Sequence, residues 1–224
     1  MLVRSGSLLL RAHVDHSANT ASERRAAVLY LHGQFAFTHE AAVQAQRFRD
    51  AGFVTMTLVL RGENGQDGAF SLYYDEVDDV LAAAEALASL PSVDPSRVMI
   101  AGHSAGAVLA MLAAAASDRF AKVASISGWP DLRPVLRYYP SYAVFDARDE
   151  RELEMRSPVD FMGSIRAPLR MYFGSEEIEL RPHVYRAVER ARRSDCDTSA
   201  TMVAGNHFTA TIPAIEAIIR WFRE

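Results

Sequence analysis

The sequence predicts a single α/β domain whose core is a mostly parallel β-sheet with helices on both faces. Short, nearly continuous apolar segments bounded by Gly, Pro or Ser recur along the chain, which is typical of strands buried on both faces. Between them lie segments with helical spacing, and parallel neighbours require such crossover connections. With 224 residues, half of them hydrophobic, the chain is long enough for one sizeable core.

The predicted elements alternate in chain order. We expect an edge strand or hairpin arm at residues 8–14, then buried strands at residues 28–31, 53–60, 97–101, 122–127, 169–173 and 201–204. The helices are expected at residues 39–51, 75–90, 105–117, 181–193 and 213–223. Acidic residues between Asp75 and Asp79 complement the positive end of the second helix, Pro91 ends that helix, and Pro213 fits the first turn of the last one.

One long segment, residues 129–166, has no clear period and is interrupted by Pro130, Pro134, Pro140 and Pro158. Loops of this length are often functional. We therefore expect this part of the single domain to form a small cap over a pocket.

The composition argues against several classes of partner. A formal charge of −4 and an isoelectric point near 6.0 give no broad positive field, so nucleic acid is not an expected partner. No apolar run reaches the ~20 residues that span a bilayer, so a membrane is not expected either. The single cysteine, Cys196, cannot form an intrachain disulfide, and the first residues lack the pattern of an export signal. A cytoplasmic location is therefore expected.

The strongest functional signal is the pentapeptide Gly102-His103-Ser104-Ala105-Gly106, which joins a predicted strand to a predicted small-residue helix. This arrangement is typical of a nucleophile elbow, in which a strained turn exposes the serine hydroxyl. The two glycines fit because a Cβ would collide with neighbouring backbone. The start of the helix favours negative charge on a substrate oxygen, which makes the Ala105 N–H an expected oxyanion donor. The alternative is a tight turn that merely contains serine.

With the elbow in place, the chain resembles the α/β-hydrolase superfamily, and within it the catalytic domain of the prolyl oligopeptidase (S9) and dienelactone-hydrolase-like groups. The resemblance runs from about Val28 to the C-terminus and implies an α/β-hydrolase fold. Its further motifs are Leu31-His32-Gly33-Gln34, Leu60-Arg61-Gly62, the segment 91–97, Ser157-Pro158-Val159, and Ala167-Pro168 before a strand ending in Gly174. The amino-terminal propeller of large oligopeptidases is not seen in this sequence, so we expect no restriction of substrate size by a propeller.

The expected base is His207, which lies in a glycine-containing loop directly after the last predicted strand. The resembled families have their histidine at this position. An imidazole with an ordinary pKa near ~6.5 can accept the serine proton and return it to the leaving group near neutral pH. The alternative is a histidine in a surface loop.

The resemblance also implies a second oxyanion donor and a triad acid. The donor would be the backbone N–H of Gln34 or Phe35, while His32 is expected to be a buried structural histidine that bonds loop backbone. The acid lies three residues after the glycine that ends the penultimate strand, which here is Glu177. Most relatives have Asp at that position.

Glu176 and Glu179 remain alternatives for the acid. The non-catalytic interpretation of these two residues and of Glu177 is a solvated acidic loop. Substrate contact is expected from the suspected cap, where Tyr138, Tyr139 and Tyr142 cluster.

No metal or organic cofactor is expected. His13 and His16 would point to opposite faces of a strand and have no evident third ligand. The loop that begins at Arg61 lacks both the dinucleotide-binding glycine pattern and a Walker lysine.

These residues predict a serine hydrolase that cleaves an ester, thioester or amide through an acyl-enzyme on Ser104. We favour a carboxylesterase-like acyl hydrolase over an S9-like small-peptide or acylaminoacyl peptidase, because no propeller is seen and amide cleavage demands more protonation of the leaving group. A hydrolase fold whose chemistry has lapsed and which acts as a binding protein is a third interpretation. The expected partner is a small-molecule ester, thioester or short peptide, and the sequence leaves a homodimer open.

Overall fold

The structure is a computed structural model that describes residues 1–16, 24–33 and 36–224. In this described part, eight strands form one sheet in the order β1-β2-β4-β3-β5-β6-β7-β8. The strands are β1 (Leu2–Ser5), β2 (Leu8–Asp15), β3 (Arg25–Leu31), β4 (Val54–Leu58), β5 (Val93–His103), β6 (Val123–Ile126), β7 (Leu169–Gly174) and β8 (Thr198–Val203). All pairs from β4 to β8 are parallel, whereas β1 and β2 are antiparallel to their neighbours.

The helices of the described chain lie between these strands. They are α1 (His39–Asp50), α2 (Glu76–Ala88), α3 (Ala105–Ala116), α4 (Leu132–Tyr138), α5 (Glu150–Met155), α6 (Arg181–Arg192) and α7 (Thr211–Arg223). Pro213 lies in the first turn of α7, as expected. The predicted alternation of strands and helices around a mostly parallel sheet is confirmed.

Helices cover both faces of the sheet. Successive residues of β3 alternate between two hydrophobic clusters, because side chains along a strand point to opposite faces. The larger cluster includes Leu29 and packs against α2, α3 and α6. The smaller cluster includes Val28 and packs against α1 and α7, from which Phe48 and Ile218 contribute fully buried side chains. Each such side chain stabilises the fold by roughly 1.5–3 kcal/mol.

Residues 8–14 form one arm of a hairpin, which is one of the two alternatives that the sequence predicts for them. They are not the edge of the sheet, because strand β1, which the sequence analysis does not predict, pairs with them and occupies the edge. That strand is only four residues long and alternates exposed and buried positions, so it carries little apolar signal. Strand β8 begins at Thr198, earlier than predicted, because an edge strand with half-buried faces keeps polar residues that hide its start.

The segment between β6 and β7 contains α4, α5 and two 3₁₀ turns, Pro140–Tyr142 and Pro158–Ser164. Its buried side chains, including Leu132, Leu153 and Met162, belong to the larger core cluster. The segment expected to form a cap is therefore packed onto the same core as the sheet.

The parallel strands end at one edge of the sheet, where the loops after β3, β5, β6, β7 and β8 meet. Ligand sites of open α/β sheets lie outside this carboxyl edge. Among the described residues, no helix is both long and apolar enough to cross a membrane.

Candidate active site

Ser104 lies on a sharp turn between the end of β5 and the start of α3. Its backbone has φ 54° and ψ −115°, a conformation that costs a non-glycine residue on the order of 1–3 kcal/mol. A Cβ on Gly102 would lie 2.2 Å from the Gly106 carbonyl oxygen, and a Cβ on Gly106 would lie 2.3 Å from the Leu31 oxygen. The two glycines therefore let α3 approach β5 and β3 closely enough to form the predicted elbow.

The structure brings together Ser104, His207 and Glu177. His207 Nε2 lies 2.9 Å from Ser104 Oγ, and His207 Nδ1 lies 2.8 Å from Glu177 Oε1. With the proton on Nδ1 facing the carboxylate, Nε2 is left to accept the serine proton. The rivals Glu176 and Glu179 are exposed and, within the described chain, neither bonds the imidazole.

Glu177 is held from three directions. Its second oxygen, Oε2, accepts hydrogen bonds from Ser127 Oγ at 2.6 Å and from the Gly174 N–H at 2.7 Å. Burial raises the pKa of Glu177, but the hydrogen bonds from His207, Ser127 and Gly174 outweigh burial and leave this pKa below its ordinary value. The carboxylate therefore stays ionised beside the imidazole.

Sequence reasoning missed Ser127, which is fully buried directly after β6 and has φ 52°. The sequence predicts it only as the last residue of a strand at 122–127. The signal available was its position, because a residue that follows β6 lies at the same sheet edge as the loops after β5 and β7.

The loop that carries His207 is fixed by two sets of contacts. Asn206 Oδ1 accepts hydrogen bonds from the N–H groups of Phe208 and Thr209, both at 3.0 Å. His103 Nε2 lies 2.8 Å from the His207 carbonyl oxygen, to which it donates. Burial lowers the pKa of His103 to about 4, so this ring is neutral near pH 7. Sequence reasoning assigned no role to His103, although it lies directly before Ser104.

The expected oxyanion donors are described only in part. The Ala105 N–H begins α3 beside Ser104 and, within the described residues, makes no backbone hydrogen bond outside the helix. Gln34 and Phe35 lie outside the described residues, so their role stays a prediction. Before them, a Cβ on Gly33 would lie 3.2 Å from Ser104 Cβ, which shows how closely this loop approaches the elbow.

His32 has the structural surroundings that the sequence predicted for it. The residue is buried, and its Nδ1 lies 2.9 Å from the Gly33 carbonyl oxygen. Its Nε2 lies 3.1 Å from Glu63 Oε2 without the geometry of a hydrogen bond, and the Leu60 N–H donates a hydrogen bond to that oxygen. These contacts tie the loop after β3 to the loop after β4.

A cavity of about 800 Å³, which we call the Ser104 cavity, opens beside Ser104 and His207. Tyr138, Tyr139 and Tyr142 line it, and their contact with a substrate stays a prediction. Glu179, an alternative for the acid, also lines the cavity, whereas sequence reasoning did not single out other residues of its wall, which include Tyr73, Trp129, Arg156 and Phe208. These residues come from separate loops, and nothing in their local sequence marks them as neighbours.

The strand order, the serine elbow after β5 and the histidine after β8 define an α/β-hydrolase. The sequence model of the prolyl oligopeptidase family matches residues 37–162, which is more than half of the chain. The chain belongs to this family of serine hydrolases. No curated protein sequence matches it.

Solved structures with the same fold include peptidases that are much longer than this chain and a protein of nearly the same length. The acylaminoacyl peptidase of Pyrococcus horikoshii is 16% identical with a TM-score of 0.81, covering 99% of this chain and 39% of that one. A puromycin-hydrolyzing peptidase of Mycobacterium tuberculosis is 19% identical with a TM-score of 0.82, covering 96% of this chain and 37% of that one. The chain thus spans about two fifths of the length of these peptidases.

A structure with ferulic acid bound to Est1E from Butyrivibrio proteoclasticus matches this chain over nearly its whole length. It is 17% identical with a TM-score of 0.79, and the match covers 100% of this chain and 98% of that one. At such identities these likenesses establish the shared fold.

Proposed function

We propose that this protein is a carboxylesterase-like serine hydrolase that cleaves small esters through an acyl-enzyme on Ser104. One observation carries the proposal. The hydroxyl of Ser104, the imidazole of His207 and the carboxylate of Glu177 form a continuous hydrogen-bonded chain whose serine end opens into an 800 Å³ cavity. This volume lies within the range of small-molecule sites.

The proposed reaction proceeds in two halves. Ser104 Oγ attacks the ester carbonyl carbon while its proton passes to His207 Nε2, and the negative charge moves to the former carbonyl oxygen. The Ala105 N–H, with the predicted donor at Gln34 or Phe35, stabilises that oxygen. The intermediate collapses, the bond to the alcohol oxygen breaks, and His207 gives its proton to the departing alcohol.

In the second half, water attacks the acyl-enzyme carbonyl and His207 takes the proton of the water. The second tetrahedral intermediate releases the carboxylic acid, and the proton returns to Ser104 Oγ. Glu177 stays ionised throughout, orients the imidazole and stabilises its cation. Its low pKa, set by three donors, suits this role.

Esters are favoured over peptides on two grounds. An alkoxide departs with less help from an acid than an amine does, so an ester demands less of His207 as the proton donor. The second ground is the match to Est1E, a protein whose structure holds a carboxylic acid, ferulic acid. That match extends over nearly the whole of both chains. A thioester would react through the same steps.

A peptidase is the second candidate, and the family match supports it. Acylaminoacyl and puromycin-hydrolyzing peptidases share the fold of this chain with TM-scores of 0.81 and 0.82. The two candidates use the same serine, histidine and glutamate, so they differ in the leaving group that the site accepts. The complete hydrogen-bonded chain argues against a lapsed enzyme that only binds a ligand.

The test combines an activity-based probe with matched substrates. Wild type, Ser104→Ala and His207→Ala would be treated with a fluorophosphonate, then assayed with 4-nitrophenyl esters and with 4-nitroanilides of the same acyl groups. We expect labelling and ester turnover in wild type, and losses of at least about 10³-fold in both variants. Faster cleavage of anilides than of esters would favour the peptidase.

Ser96→Ala and His16→Ala are matched controls, because both residues are exposed and lie near the opposite edge of the sheet. Both controls should keep wild-type turnover. A folded wild type that is neither labelled nor active on either substrate series would contradict the proposal and favour the binding protein.

A further inference from the structure

The loop between β4 and α2 is strained beside the Ser104 cavity. Leu72 and Tyr73 are consecutive non-glycine residues with positive φ, at 56° and 71°. The fully buried carboxylate of Glu76 holds them there, because it accepts hydrogen bonds from the N–H groups of Ser71 at 2.7 Å and Tyr73 at 2.8 Å. Strain that is over-determined in this way is found at functional sites.

The strained loop places the ring of Tyr73 in the wall of the Ser104 cavity. The residue is only 8% exposed, and its hydroxyl makes no hydrogen bond within the described part of the chain. Burial raises the pKa of Tyr73 above its ordinary value, and the nearby Glu76 and Tyr142 raise it further by smaller amounts. The phenol therefore keeps its proton. Tyr73 and Tyr142 line this cavity together.

Arg156 lines the same wall and is bound to the same loop. It is 5% exposed, its Nε donates to the Ser71 carbonyl oxygen at 3.1 Å, and its Nη1 donates to the Glu152 carbonyl at 3.0 Å and to Glu152 Oε2 at 2.5 Å. The guanidinium carbon also lies 4.1 Å from the ring centroid of Phe145. Of the three guanidinium nitrogens of Arg156, Nη2 alone makes no hydrogen bond to a described residue.

Two fixed donors thus belong to one cavity wall and are joined through Ser71. Neither the Tyr73 hydroxyl nor Arg156 Nη2 is among the fully enclosed atoms without a partner, so an acceptor on a substrate in the cavity can reach them and form hydrogen bonds. A hydrogen bond to a charged group is roughly twice as strong as one between neutral groups, and a guanidinium favours planar carboxylates. Glu152 occupies the Nη1 edge of Arg156, which leaves the Nη2 edge for a ligand.

We propose that the Tyr73 hydroxyl and the Arg156 guanidinium form a subsite for a carboxylate on the substrate. The preferred substrate is then an ester that carries a second, ionised carboxyl group, as a dicarboxylic acid monoester does. This inference rests on the proposed ester hydrolysis at Ser104 and names the class of ester.

Two substrates of equal chain length test the subsite. Mono-4-nitrophenyl adipate ends in a carboxylate, and 4-nitrophenyl hexanoate ends in a methyl group. For wild type, kcat/KM should be about tenfold higher for the adipate ester, which is the effect of one charge-assisted hydrogen bond. Tyr73→Phe keeps the ring but removes the donor, and Arg156→Gln removes the charge. Each should lower this preference by at least about fivefold, chiefly through KM for the adipate ester.

Arg148→Gln is the matched control, because Arg148 belongs to the same segment but its side chain is 91% exposed. It should keep the wild-type preference. Thermal unfolding and fluorophosphonate labelling establish that each variant is folded, and Tyr73→Phe alone decides the matter if Arg156→Gln does not fold.

Equal or better hydrolysis of the hexanoate ester by wild type, or a preference unchanged in both variants, overturns the subsite. In that case, hydrolysis that still depends on Ser104 leaves the proposed function intact. A wild type that is unlabelled and hydrolyses neither ester overturns the proposed function, and the subsite with it.

Discussion

His103 Nε2 donates a 2.8 Å hydrogen bond to the main-chain carbonyl of His207, and the two imidazole rings lie 5.0 Å apart. The residue before the proposed nucleophile therefore holds the backbone of the proposed base. Displacement of a catalytic group by about 1 Å can cost on the order of 100-fold in rate. This contact links the elbow after β5 directly to the loop after β8.

Removal of this donor should slow the chemical step. In His103→Phe the ring is replaced by one that cannot donate, and the His207 carbonyl loses its partner at a cost of roughly 1–3 kcal/mol. We expect kcat to fall by about 10- to 100-fold with a much smaller change in KM. Steady-state kinetics on a 4-nitrophenyl ester measure both parameters.

His103→Gln provides the comparison, because a glutamine amide can donate to the same carbonyl. It should retain more activity than His103→Phe at similar thermal stability. Equal losses of kcat in both variants would contradict a positioning role for the hydrogen bond.

His103 should also make stability depend on pH. Its pKa is lowered to about 4 in the folded protein, mainly by burial, whereas it lies near ~6.5 in the unfolded chain. Above pH 6.5 the ring is neutral in both states. As the pH falls toward 4, only the unfolded chain binds the proton, so the folded state loses stability.

A shift of this size corresponds to about 3 kcal/mol between pH 7 and pH 4. Denaturant unfolding of wild type and His103→Phe at both pH values isolates this contribution as a double difference. If the two proteins lose the same free energy of unfolding on acidification, His103 does not titrate as described.

Glu177, rather than its neighbours, should orient the imidazole. Glu177→Gln keeps the shape but removes the charge that favours the required tautomer, and kcat should fall by roughly 10³- to 10⁴-fold. The control is Glu176→Gln, an exposed residue beside it in the same loop, which should retain at least about half of the activity. A large loss in the control with a small one in Glu177→Gln would reassign the acid.

Ser127 should act through Glu177. Ser127→Ala removes the 2.6 Å hydrogen bond to Glu177 Oε2, one of three that lower the pKa of this carboxyl group. The Glu177 pKa should therefore rise, and kcat should fall by about tenfold because the carboxylate is held less firmly. Carboxyl 13C chemical shifts of Glu177 against pH measure its pKa in wild type and in Ser127→Ala, and steady-state kinetics on a 4-nitrophenyl ester measure kcat. An unchanged Glu177 pKa together with an unchanged kcat would contradict this role.

The sequence predicted the parts of this site that local chain geometry determines. Ser104 follows from a strand, a glycine pattern and a helix. His207 and Glu177 follow from the resemblance to the hydrolase families, which implies a histidine after the last strand and an acid after the strand before it. Ser127 and His103 were missed because their roles depend on which loops meet at the sheet edge. Arg156 contacts Ser71, 85 residues earlier in the chain, and no local pattern indicates such a pairing.

Close packing at the elbow gives a final prediction about stability. A Cβ on Gly106 would lie 2.3 Å from the Leu31 carbonyl oxygen and 2.5 Å from the His32 oxygen, so α3 would have to move away from β3. Main-chain atoms of a central strand cannot yield as a flexible side chain can. Gly106→Ala should therefore destabilise the fold by at least about 3 kcal/mol and abolish labelling of Ser104.

Gly65→Ala is the control, because Gly65 has φ 75° but open space around its Cβ position. That variant should lose only about 1–2 kcal/mol, the cost of a left-handed backbone with a side chain. Chemical denaturation compares the two, and equal losses would show that contact with β3 does not explain the need for glycine at position 106.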